Sequence, residues 1–338
     1  MYFLSNKIKG IVAFEITNFS IVLIEKKSAN NYRLIQNEKS ILEFNFTSLT
    51  KGLFSHIVVS DDDNNIYIFD KQNFQNKLEG YSLSEKAFNK NEIIISKRIS
   101  RGIFETFIYN LIEKTIYEPK NIPVLTFNSI LFFSVENKVS QSTSLLTGEF
   151  EWETNLEPYG EIRKILGVKS EKLWVSMDRC GENKDKNSLL ALDVNTGQIL
   201  YQAPSEYDLS DWFIELIPEQ NTILSIYGKM STHKADSPLV EMNATTGVLI
   251  RNQRIESLYH ENLKIGFWKV LDNKIYFTAN KDTLHGRHIG ILDYNTLEIL
   301  WQTEIKDLRG TFKDFQVTQD KIYVLDTGNQ LHIFEKEE

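Results

Sequence analysis

Cysteine is almost missing from this chain: among 338 residues there is one, Cys180. No disulfide can form within the chain, which fits a reducing compartment. Proline is scarce at 6 residues and glycine stands at 16, so collagen-like and low-complexity disordered classes are excluded. No apolar run approaches the ~20 residues of a membrane-spanning helix. The opening M-Y-F-L-S-N-K-I-K-G has no basic start, and Lys7 and Lys9 interrupt it early, so it does not read as a secretion signal. Positive charge is in the minority, 38 Lys and Arg against 46 Asp and Glu, for a net charge of −8. No basic cluster marks a nucleic-acid surface. The expectation is a cytoplasmic protein with no nucleic-acid and no membrane partner. An acidic surface suits solubility or a basic protein partner.

Catalytic signatures are missing as well. There is no G-x-S-x-G, no H-E-x-x-H and no phosphate-cradling glycine loop. His285-Gly-Arg-His288 sets two imidazoles three residues apart, but spacing supplies no third ligand, so a solvated loop is the better reading. Cys180 follows Arg179 in a polar loop, and no base is placed beside it. Asp61–Asn65, D-D-D-N-N, starts like a calcium loop but lacks its glycine and its closing glutamate. A hairpin turn explains it. No metal or cofactor is expected.

What the chain does have is aromatic residues, 21 Phe, 14 Tyr and 5 Trp, and a repeat. Leu189–Tyr201 reads L-L-A-L-D-V-N-T-G-Q-I-L-Y: two runs of β-formers around a tight turn. The unit recurs from Ser144, Asp193, Asn243 and Asp293, in steps of 49, 50 and 50 residues. Two further strands precede each turn, for example Ile162–Val168 and Lys172–Ser176. Four short strands in a period near 50 residues predict one blade of a β-propeller. Leu189–Leu192 is apolar on both faces, as a strand stacked between neighbouring blades should be. Weaker copies end at Glu25, Asp70, Asn110 and Glu335.

The expected architecture is all-β: one propeller domain over 1–338, built of four-stranded antiparallel blades. Seven blades are expected, eight being the alternative count. The ring is expected to be closed by pairing of the N- and C-terminal segments, with Tyr2–Leu4 or Ile11–Ile16 supplying the strand missing after Glu335. Residues 81–120 are the least regular, and Ser82–Lys90 is open between a long loop and a short helix.

The motif D-x-N-T-G-x-φ-φ-W/Y, with φ apolar, resembles the repeat of quinoprotein-type propellers, the PQQ-like repeat family. Asp193, Asn195, Thr196, Gly197 and Tyr201 match best, and the resemblance spans roughly 120–335. Leu297 stands where the turn glycine belongs, and Arg251 where the aromatic residue belongs. The family's quinone enzymes hold a quinone and calcium and often carry adjacent cysteines. This chain lacks that constellation, so the resemblance implies the fold and not the redox activity. It also implies non-catalytic roles, as assembly scaffolds or as bacterial immunity proteins that inhibit a toxin.

Loop lengths place a candidate site. Between second and third strands the connections are short at Asp61–Asn65 and Glu136–Lys138, and long at Asp178–Asn187, Gly228–Ser237 and Asn280–Arg287. Propeller topology puts them on one face with the inter-blade links Pro204–Ser210, Glu256–Asn262 and Lys306–Gly310. Loops on a rigid frame concentrate binding residues, and Tyr, Trp and Arg are the usual anchors. The candidate partner-binding residues are Arg179, Tyr207, Asp208, Trp212, His233, Lys234, Tyr259, His260, His285, Arg287 and Arg309. The leading expectation is a non-catalytic propeller binding another protein, with a toxin domain as one such partner. The alternative is a hydrolase or lyase whose Asp, Glu and His residues converge in the central channel.

Overall fold

A computed structural model describes residues 1–17, 20–50, 53, 55–70, 73–89, 91–100, 103–119, 124–127, 130–135, 137–143, 149–178, 189–207, 209–210, 212–230, 235–281 and 286–337. Among them, strands form eight antiparallel sheets of four. From the inner strand outward, blade 1 is Ile11–Ile16, Ile21–Lys26, Tyr32–Gln36 and Lys39–Phe44. Blade 2 is Phe46–Leu49, His56–Asp61, Asn65–Asp70 and Asn73–Glu79. Blade 3 is Ser82–Asn89, Glu92–Ser100, Ile103–Asn110 and Thr115–Tyr117. Blade 4 is Leu125–Phe127, Ile130–Val135, Lys138–Ser142 and Trp152–Asn155. Blade 5 is Ile162–Lys169, Lys172–Met177, Leu189–Asp193 and Ile199–Gln202. Blade 6 is Ile214–Ile217, Thr222–Ile226, Pro238–Asn243 and Leu249–Arg254. Blade 7 is Leu263–Leu271, Lys274–Lys281, Gly286–Asp293 and Ile299–Glu304. Blade 8 is Phe312–Val317, Lys321–Asp326 and Gln330–Lys336, with Tyr2–Lys9 as its fourth strand.

The expectation of seven blades is therefore corrected to eight. Seven requires the first and last units to merge. Instead Tyr2–Lys9 pairs with Gln330–Lys336, from Tyr2↔Lys336 to Lys9↔Gln330. Gly10, at φ 81°, then turns the chain into Ile11–Ile16, and blade 1 keeps four strands of its own. The expectation of a long loop or short helix at Ser82–Lys90 is also corrected: Ser82–Asn89 is the inner strand of blade 3. Its polar sequence carries little strand pattern, and the partner Glu92–Ser100 decides its conformation.

The core lies between blades. Leu189, Leu190, Ala191 and Leu192 are all fully buried, because each face of this strand meets a neighbour. Leu190 and Leu192 join the cluster shared with blade 4, and Leu189 and Ala191 the one shared with blade 6. Blade 8 packs on blade 1 in the same way, with Tyr323, Leu325, Leu331 and Ile333 against Ile11, Phe14 and Leu23.

The repeated turn does two jobs. The Asp193 carboxylate accepts the N–H groups of Asn195 (2.9 Å) and Thr196 (2.8 Å), and Gly197 adopts φ 71°. Asn243 and Asp293 hold their turns through the same pair of bonds. Each turn then receives the outer strand of the preceding blade. The Trp152 indole N–H donates to the Val194 carbonyl at 2.8 Å. A Cβ on Gly197 would lie 2.5 Å from the Trp152 ring. Tyr201 covers Gly247 in the same manner, 2.8 Å from where a Cβ would stand.

The two departures from the motif turn out to be partners. Arg251, in place of the aromatic residue, docks on the blade 7 turn, whose glycine is replaced by Leu297. Its Nη1 donates to the carbonyls of Tyr294 (2.9 Å) and Asn295 (3.0 Å). Its Nε donates to Glu241 at 2.6 Å. Leu297 takes φ 60° and is buried in the cluster between blades 6 and 7. Here a guanidinium, 5.2 Å from the Tyr294 ring, stands in for the ring that covers Gly197 and Gly247 in the other turns.

Candidate protein-binding face

In blades 2, 7 and 8, the connection between second and third strands meets an inter-blade link. The N–H groups of Gly80 and Tyr81 donate to the Asn64 carbonyl at 2.8 and 2.9 Å. That of Ile305 donates to Arg287 at 2.6 Å, and that of Gly328 to Arg309 at 2.9 Å. Both kinds of connection therefore share one face.

Of the residues expected there, Arg179, Asp208, His233, Lys234 and His285 lie outside the described residues. The remaining six sit on this face in four separate places. Tyr207 is half-buried and packs on the cluster between blades 5 and 6. Burial, and after it the neighbouring Tyr207, push the Tyr201 hydroxyl up to about 12. Tyr259 and His260 lie on the short helix Glu256–His260, where the Arg254 guanidinium stacks 3.7 Å from the Tyr259 ring. Arg287 and Arg309 are exposed at the connections of blades 7 and 8. The Arg309 N–H donates to Asp326 at 3.0 Å.

Trp212 is the residue with a built environment. The Ser210 hydroxyl accepts the N–H groups of Trp212 (3.2 Å) and Phe213 (3.0 Å), which bends the chain just before the inner strand of blade 6. The Ser210 N–H is itself held by the Ser225 hydroxyl at 2.9 Å. The bend leaves Trp212 62% exposed. The Arg163 guanidinium, from the inner strand of blade 5, lies 4.3 Å from the Trp212 ring, and its Nη2 is ion-paired to Asp178 at 2.7 Å. The arginine is thus fixed before any partner arrives. Beside it, Phe213, Phe267 and Phe315 line a cleft of about 110 Å³ at the inner strands of blades 6, 7 and 8. Phe213 and Phe267 are 45% and 41% exposed. Lys269 and Glu215 bridge two of these strands at 3.1 Å. Next to it around the ring, blades 8, 1 and 2 line a larger cavity of about 360 Å³ with Val12, Phe46, Thr47, Lys313 and Asp314. The Lys313 ammonium there donates to the Val12 carbonyl at 2.6 Å.

Arg163, Phe267 and Phe315 were not legible as a site, because each belongs to an inner strand and reads as core, and Phe213 directly precedes one. The available signal was the Trp212-Phe213 pair next to Ser210. Among the described residues, no group of three or more His, Cys, Asp or Glu is arranged to hold a metal ion. The histidine best surrounded by polar groups, His332, is fully buried against Asp326 at 3.2 Å. That carboxylate also accepts the N–H groups of Arg309 and Gln330, so this pair ties a link to a turn and faces no solvent.

The sheets and the connections between them define the class of protein: an eight-bladed β-propeller. The structure is similar to BamB from Moraxella catarrhalis, with 12% identity, 100% of this chain and 98% of that one covered, and a TM-score of 0.54. It is similar to Saccharomyces cerevisiae Sqt1, with 10% identity, 100% and 98% covered, and a TM-score of 0.54. It is also similar to the computationally designed protein Ika8, with 10% identity, 97% and 96% covered, and a TM-score of 0.55. At these identities the likeness concerns the fold alone. No family model matches the chain, and no curated protein matches it in sequence.

Proposed function

We propose that this chain is a non-catalytic, cytoplasmic propeller whose loop-bearing face seats a partner protein at the mouth of the central channel. Trp212 carries the reading. A large aromatic ring is held in water by a serine-fixed bend and stacked under a pre-positioned arginine, next to two more exposed phenylalanines. Rigid aromatic and arginine anchors of this kind dominate protein interfaces. The single cysteine supports an intracellular setting. The Asp-x-Asn-Thr-Gly turns and the rings docked on them support membership of the PQQ-like repeat class. A toxin-inhibiting immunity protein is the narrower form of the proposal, and it draws on the repeat's resemblance alone.

Trp212 provides its own probe. Trp152, Trp174 and Trp268 are buried, at 9%, 0% and 5% exposure, and Trp301 is half-buried. Acrylamide quenching therefore reports chiefly on Trp212. Purified products of neighbouring genes are added, and a partner seated at the channel mouth protects the fluorescence. Trp212→Ala should weaken that partner's binding at least tenfold, as expected for a buried aromatic anchor worth ~2 kcal/mol or more, with melting unchanged. A partner that binds the chain while Trp212 stays fully quenchable would remove the channel mouth from the interface.

A further inference from the structure

The middle strands of blade 3 run on past their own sheet. The inner strand begins opposite Ser96, at Ser82, and the outer strand ends opposite Ile108, at Tyr117. The ladder between the middle strands continues through Lys97↔Glu105 and Arg98↔Phe104 to Ser100↔Ile103. Four residues past Ser96, at ~3.3 Å each, make a two-stranded arm that projects roughly 13 Å. It leaves from the end where the second and third strands connect, which is the loop-bearing face.

Exposure begins where the sheet ends. Ile95 and Tyr109, lower in the same strands, are 0% and 2% exposed, whereas Ile99, Ile103 and Phe104 are 52%, 60% and 54% exposed. An arm meant only for solvent would carry polar residues at those positions. Lys97 and Arg98 are exposed beside them. Lys97 sits 6.0 Å over the Tyr81 ring, and the Arg98 Nε donates to the Ser100 carbonyl at 3.3 Å. Among the described residues, no carboxylate lies within ion-pair distance of either. In sequence, 97–105 carries Lys97, Arg98 and Arg101 against one acid, Glu105, in a chain of net charge −8.

We infer that this arm is a docking element: the Ile99–Ile103–Phe104 tip enters an apolar cleft of a partner protein, and an acidic rim on that cleft meets Lys97 and Arg98. The class of partner rests on the protein-binding reading above, but the Trp212 surface is not required. Pairing of the arm's backbone edges is disfavoured by the irregularity between Arg98 and Ser100 and by the charged residues beside it. Docking of two arms from two copies would bring like charges together. An anionic bilayer would be repelled by the acidic body and by exposed Asp62 and Asp63 on the adjacent blade 2 turn of the same face.

The test places a photo-crosslinking phenylalanine analogue at Phe104 and, as a control, at Phe74, which is equally exposed at 57% on an outer strand. Crosslinking is done in cells, and the protein captured at 104 but not at 74 is identified and purified. The expected result maps the crosslink to apolar residues bordered by Asp or Glu. Two variants, Ile99→Ser/Phe104→Ser and Lys97→Glu/Arg98→Glu, should each lower that protein's affinity at least tenfold with unchanged melting. The inference is overturned if 104 captures no more than 74, if it captures a second copy of this chain, or if the charge-reversed variant binds as well as the original. Co-sedimentation of the original, but not of the charge-reversed variant, with phosphatidylcholine–phosphatidylserine vesicles would also overturn it, in favour of a membrane. Loss of that protein's affinity in Trp212→Ala but not in the arm variants sinks the arm and leaves the channel-mouth reading standing. The reverse pattern keeps the arm and sinks the channel mouth.

Discussion

Removing the Arg251 guanidinium should destabilise this protein more than removing any exposed charge. Arg251 spans two blades, bonded at once to the Glu241 carboxylate and to two carbonyls of the next turn. Glu241 is 3% exposed, and its other oxygen accepts the Tyr294 hydroxyl at 2.6 Å. Burial, followed by this bond to a carboxylate, raises the Tyr294 hydroxyl well above its ordinary range. Arg251→Met leaves the carboxylate buried with no cation, a change that costs about 3–5 kcal/mol for a broken buried pair. An unfolding entropy of ~2.1 cal/mol/K per residue gives about 0.7 kcal/mol/K for a chain of this length, so melting should fall by roughly 4–7 °C. Replacing both partners, Arg251→Met with Glu241→Met, removes the stranded charge and should return stability to within about 1 kcal/mol of the original. Tyr294 keeps the Thr222 hydroxyl at 3.1 Å as a partner in that double variant. Calorimetry of the four proteins decides the matter. A single variant that loses less than about 1 kcal/mol, the range of an exposed pair, refutes the argument, as does a double variant no better than the single.

Two further outcomes are expected. Gly197→Ala meets both a positive φ and the Trp152 ring, whereas Gly80→Ala meets φ 81° with nothing within 4 Å. The second should lose only the backbone penalty of ~1–2 kcal/mol, and the first distinctly more, with a shift in tryptophan emission; equal losses would mean that the ring does not seat on that turn. Lowering pH should weaken the fold through His332. Burial, opposed by Asp326, holds its pKa below the ordinary 6.5, and among the described residues its Nδ1 has no partner. The neutral ring is therefore the folded form, and its contribution is present above pH 6.5 and lost as pH falls below that value. Urea midpoints measured downward from pH 7 should decline, and the decline should be shallower in His332→Gln; parallel curves would exclude this residue as the cause.

The repeat was legible because its turn is local chemistry. Asp193 and its counterparts cap their own backbone, and a glycine at positive φ leaves a mark in sequence. The blade count was not, because it turns on whether Tyr2–Lys9 and Ile11–Ile16 are one segment or two, a distinction made by pairing to residues at the far end of the chain. Arg251 and Leu297 looked like two independent lapses, yet they meet across a blade boundary. Blade 3 was obscure because the conformation of Ser82–Asn89 is imposed by its neighbour. Trp212 was named for its aromatic ring next to the Pro204–Ser210 link, while Arg163 and Phe267 were hidden by strand patterns indistinguishable from core.

The placement of Tyr2–Lys9 bears on how the molecule is made. Ser5 bonds to Ile333, a separation of 328 positions, so this strand cannot find its partner until residue 333 has been made. Until then it has no partner strand in its own sheet. Contacts so remote in sequence are slow to form, so completion of blade 8 should lag behind the blades whose four strands are neighbours along the chain.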